Sequence, residues 1–98
     1  MDAKTKTLKK ELMEECLTLC NEIEDLARTM DAEKTKELAK RMVALESNLA
    51  KVIETDFEAT MTEEMWVKEL SNSYLRHIIH WLEGVGMDLR DDLRVELV

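Results

Sequence analysis

No proline occurs in this chain of 98 residues, and no glycine precedes Gly84. These two residues are the ones that most reliably end a helix. Proline removes an amide donor and clashes with the preceding turn, and glycine adds conformational freedom that the folded backbone must lose. A chain without them through most of its length can run in long helices, and the apolar residues recur at the three- and four-residue spacing that a half-buried helix requires. The fold class that follows is all-α, an antiparallel bundle of three long helices plus a short C-terminal helix. It forms a single domain over residues 1–98, with pairing into a dimer as a further expectation.

The first helix is expected over residues 4–30. At about 100° per residue, Leu8, Leu12, Cys16, Leu19, Ile23, Leu26 and Met30 fall within about 80° of arc. Met13, Leu17, Cys20 and Ala27 widen this stripe to about half the circumference, more than one neighbour covers, so two neighbours are expected. The second helix is predicted over residues 31–54, capped by Asp31, with Leu38, Met42, Leu45, Leu49 and Val52 as its seam. Carrying the first helix's register onward would place Glu33, Glu37 and Lys40 in the seam. The stripe has therefore rotated, which favours a turn over residues 29–32 and a hairpin. The rival is one rod of roughly 75 Å, at about 1.5 Å per residue.

A connection over residues 55–61 leads into a third helix. Thr60 with Glu63 has capping-box spacing, and Thr62 is a second candidate cap. This helix is expected to run to about Glu83 and bury Trp66, Leu70, Tyr74, Leu75, Ile78, Ile79, Trp81 and Leu82. Gly84 is the natural C-cap, and residues 87–98 form the short last helix, capped by Asp88 and burying Leu89, Leu93 and Leu97.

The apolar fraction is 45% and the charged fraction 37%, with Phe57, Trp66, Tyr74 and Trp81 as the aromatics, so the core is mainly aliphatic and methionine. A net charge of −8 repels a phosphate backbone, and the only basic run is Lys4, Lys6, Lys9 and Lys10. No direct nucleic-acid binding is expected. That basic start has no apolar run behind it and does not read as a targeting peptide, and nothing approaches the ~20 apolar residues of a membrane span. The expected setting is cytoplasmic.

Cys16 and Cys20 lie one helical turn apart, as do His77 and His80 within their helix. Two thiols and two imidazoles could close a tetrahedral zinc site, giving a metal-binding bundle. The simpler reading places both cysteines in the apolar stripe as small hydrophobes, with no metal and no cofactor. A disulfide between them is disfavoured, because residues one turn apart hold their Cβ atoms about 6 Å apart against the ~4 Å required. No phosphate loop, nucleophile triad or buried carboxylate pair is present, and Arg28, Lys40 and Arg41 read as solvent-facing rather than as an inward cation cluster. An enzyme is not expected.

The sharper signals concern recognition. Glu54, Asp56, Glu58, Glu63 and Glu64 cluster without a basic residue among them. They suit either solvated helix ends or a negative surface that steers a basic protein partner. Trp66 and Trp81 fall on one side of the third helix, as core residues or as interface anchors. Together these residues define the candidate partner-binding set. The function expected is a non-enzymatic interaction protein: a small regulator, adaptor or inhibitor of a protein partner. The alternative is an acidic nucleic-acid mimic that blocks a nuclease or DNA-binding effector.

Overall fold

The computed structural model describes residues 2–53, 60–72 and 75–96. These form four helices and no strand: α1 Ala3–Thr29, α2 Ala32–Val52, α3 Glu63–Ser71 and α4 Leu75–Glu96. Each of the first three begins at an oxygen-bearing side chain that accepts an otherwise unpaired amide of the first turn. Asp2 accepts from the Thr5 amide at 2.7 Å, Asp31 from the Glu33 amide at 2.9 Å, and Thr62 from the Met65 amide at 3.2 Å. Of the two candidate caps for the third helix, Thr62 is the one used.

α1 and α2 form the hairpin, not the rod. Met30 closes α1 in the left-handed region, with φ 51° and ψ 34°, and its amide donates to the Leu26 carbonyl at 2.7 Å. It is the one described non-glycine residue with positive φ. Asp31 then restarts the chain as an N-cap, so the reversal takes two residues. The turn swings the Met30 side chain out of the α1 stripe, and it is exposed rather than buried.

The second break lies elsewhere than the glycines suggest. α3 ends at Ser71, and Asn72 is extended at φ −86° and ψ 152°. Ser and Asn side chains compete for backbone hydrogen bonds and weaken a helix interior, which is the physical reason for a stop here. Gly84 is not a C-cap, because α4 runs straight through both Gly84 and Gly86, neither with positive φ. The short helix is consequently α3 rather than the C-terminal one, and Asp88 lies within α4 instead of capping a separate element. Leu89 is fully buried, as expected, and Leu93 is half-buried. Phe57, Tyr74 and Leu97 lie outside the described residues.

α1 packs against both α4 and α2, and α3 packs against α2. Pairs across the α1·α2 seam run Lys34 to Glu22 and Arg41 to Glu15, so these helices are antiparallel. Across α1·α4, Lys9 Nζ meets Asp92 Oδ2 at 3.1 Å, and the Cys20 thiol lies 3.7 Å from the Ile79 carbonyl, again antiparallel. One core cluster joins all four helices, with Leu19, Ile23, Leu26, Leu38, Met42, Leu49, Leu70, Leu82 and Leu89 fully buried. Truncating any of these leucines to alanine should cost about 2–5 kcal/mol, a large share of a small domain's stability.

The two expected neighbours of α1 do not cover its whole stripe. Cys16 and Cys20 are buried, but Met13 is only half-buried and Leu17 and Ala27 are exposed. Arg41 also departs from expectation. It is half-buried over the α1·α2 seam, where its guanidinium binds Glu15 Oε1 at 2.6 Å and the Glu22 carboxylate, while Lys34 reaches Glu22 at 2.8 Å. No described helix is long and apolar enough to cross a membrane.

Candidate partner-docking surface

Of the acidic joint, Glu54, Asp56 and Glu58 lie outside the described residues. Glu63 and Glu64 occupy the exposed first turn of α3, where their carboxylates complement the helix dipole. They precede Met65, which is 50% exposed. Trp66 turns the other way: it is 5% exposed and donates its indole N–H to Glu46. Glu46 is itself buried, and its Oε1 also accepts the Met61 amide at 3.3 Å. One carboxylate thus fastens the start of α3 to α2 through two donors. Trp81, half-buried on α4, packs on Trp66 with ring centroids 6.3 Å apart and planes tilted by 38°. The indoles join α3 to α4, and Trp66 presents no open face.

The cysteines and histidines do not converge. Cys16 is buried in the α1·α4 seam, and burial pushes its thiol up to about 12, with the neighbouring Cys20 and Glu15 adding to the effect. Burial also raises the Cys20 thiol, reinforced by Glu83 and Glu24. His77 and His80 are exposed on α4, with His80 Nδ1 3.7 Å from Glu83. Among the described residues no three His, Cys, Asp or Glu side chains meet in a way that could hold a metal ion.

One concavity lies on the outer side of the α1·α4 seam and reaches Ser71 and Asn72 at the end of α3. It is an open groove of about 790 Å³, with Ala27, Met30, Leu75 and Ile79 supplying apolar walls and Glu24, Arg28, Arg76, His80 and Glu83 supplying polar ones. The helical period places further residues on the same side of this antiparallel pair. On α1, Met13, Leu17 and Lys10 lie within about 60° of Glu24; on α4, Met87 and Arg90 lie within about 60° of Arg76. Leu17 is 59% exposed, Met30 49% and Met87 54%. Three of the four large apolar side chains left exposed among the described residues therefore belong to this face, and Met65 is the fourth.

Arg28 and Arg76 have no ion-pair partner among the described residues, although both line the groove. This face was not among the residues singled out from sequence. Its signal was present in the excess width of the α1 stripe, which Leu17 extends beyond what α2 and α4 cover. The chain matches no protein family, no curated protein and no solved structure.

Proposed function

We propose that this chain is a non-enzymatic protein–protein interaction module, a small regulator, adaptor or inhibitor that acts by covering a surface of a protein partner. The observation that supports this reading is the outer α1·α4 face, where Leu17, Met30 and Met87 stay exposed on the side that carries an open groove of mixed apolar and charged lining. Single exposed apolar residues are ordinary, but three of the four exposed large ones among the described residues lying on one side of a helix pair is a feature of binding surfaces. The test is affinity capture from native cell extract with the unmodified chain and with L17K/M87K. Both substitutions are at exposed positions, and the helical circular dichroism signal should be retained. A stoichiometric partner held by the first and lost by the second is the expected result. Equal capture by both would remove the face from the reading.

A second surface rests on Glu63, Glu64 and the exposed Met65 at the start of α3. In this reading the acidic joint steers a basic partner, either an ordinary protein surface or, as a mimic of phosphates, a nucleic-acid-binding groove. Charge reversal at Glu63 and Glu64 should then slow association and flatten its salt dependence, and an oligonucleotide should compete only in the mimic case. Self-association is the remaining reading of the exposed apolar residues, and a mass twice that of the chain by light scattering is its signature.

A further inference from the structure

We infer that the outer α1·α4 face receives an acidic amphipathic helix from a protein partner. The inference rests on the docking reading above and adds the chemistry of the occupant. Two antiparallel helices leave a shallow trough between them, which is the shape that a third helix fills by setting its side chains between theirs. The groove itself lies between residues 24–30 and 71–83, and the exposed side of α1 that continues it from Arg28 back to Met13 is roughly 23 Å long, at about 1.5 Å per residue, or about four turns of a helical ligand. Met13, Leu17 and Met87 at one end and Ala27, Leu75 and Ile79 at the other offer apolar contact along that length. A ligand helix with apolar residues at three- and four-residue spacing would match them.

Charge decides the kind of helix. The chain carries a net charge of −8, yet this face reverses the sign. Lys10, Arg28, Arg76, Arg90 and Arg94 are exposed on it against Glu24, Glu83 and Asp91. Asp91 is matched at 3.7 Å by Arg90, whereas Arg28 and Arg76 flank the groove without an ion-pair partner among the described residues. By the register of Lys9 with Asp92 and Cys20 with Ile79, Lys10 and Arg90 lie together at one end of the trough and Arg28 at the other, while Arg76 lies level with Glu24. A helix with an apolar stripe flanked by Asp and Glu meets both requirements.

The test uses synthetic, end-capped 18-residue helical peptides that share one leucine pattern and differ only in flanking charge: glutamate, lysine or glutamine. Binding to the full chain is read by fluorescence anisotropy at low and high salt. The glutamate peptide should bind best, weaken as salt rises, and lose on the order of tenfold in affinity against R28E/R76E, as expected for two exposed ion pairs converted to repulsions. The milder R28Q/R76Q should fall between, which separates charge from any effect on folding. Equal binding of the lysine and glutamate peptides, both lost with L17K/M87K, would overturn the charge inference and leave the docking reading standing. Glutamate-peptide binding unchanged by L17K/M87K would remove the docking reading itself. A stable dimer occluding the face, or an oligonucleotide that binds more tightly than the glutamate peptide, would also overturn the proposal.

Discussion

Replacing Gly84 with alanine gives opposite signs for the two places that residue could occupy. In α4 it is an exposed interior position with negative φ, and a Cβ built there meets nothing within 4 Å. Alanine is favoured over glycine in a helix interior by about 0.8–1 kcal/mol, because glycine loses more backbone freedom on folding. With no packing change to offset it, that full amount should appear as added stability. The unfolding entropy of a domain this size is about 0.2 kcal/mol per kelvin, so the midpoint of thermal unfolding should rise by roughly 4–5 °C. G86A should move the same way, since its Cβ would lie 3.7 Å from the Cys16 Cβ, an ordinary contact. Had Gly84 been a left-handed C-cap, alanine would cost about 1–2 kcal/mol and lower the midpoint. Thermal melts followed at 222 nm decide between these. A lowered midpoint for G84A would refute the continuous α4 helix.

Glu46→Ala leaves the Trp66 indole and the Met61 amide without their acceptor and should cost about 1–3 kcal/mol, with Glu46→Gln, which keeps an acceptor oxygen, costing less; urea unfolding followed by tryptophan fluorescence measures both. The Glu22 carboxyl is held below the usual range, first by its hydrogen bond from Lys34 and then by Arg41. Its folded value is depressed, so its contribution is complete above the unfolded glutamate value of about 4.3 and disappears as pH falls through the folded value. The unfolding midpoint of Glu22→Gln should therefore converge with that of the unmodified chain on acidification. Cys16 should resist thiol reagents at pH 8 in the native state and react at once in denaturant, because its buried thiol does not ionise in that range. Rapid native labelling of Cys16 would contradict its place in the seam.

The helical class, the hairpin and most of the core were legible because they depend on periodicity. Leu12, Cys16, Leu19, Ile23 and Leu26 on α1, and Leu38, Met42, Leu45 and Leu49 on α2, are buried where a period of 3.6 residues puts them. The second break was misplaced because glycine is a permissive residue and not an obligate stop. Burial on α1 carried α4 past Gly84 and Gly86, while the quieter pair Ser71 and Asn72 ended α3. Met30 shows a related limit. Its spacing fits the stripe, but the turn gives it a left-handed backbone and turns its side chain outward. The candidate surface was the least legible part. A wheel shows that Leu17 is apolar, and only the placement of α2 and α4 shows that neither covers it. Trp66 is the converse case, an anchor type by composition whose partner, Glu46, sits twenty positions away on another helix.

The pairing of α1 with α4 also predicts an order of assembly. Contacts within the hairpin join residues 12 to 26 positions apart, whereas the link from Lys9 to Asp92 spans 83. Closing the longer loop carries the greater entropic penalty, so the expected order is hairpin first and terminal helix afterwards. In that order one flank of α1 waits uncovered in the interval. A pulse of alkylating reagent during refolding would record its closure as the moment when the Cys16 thiol stops reacting.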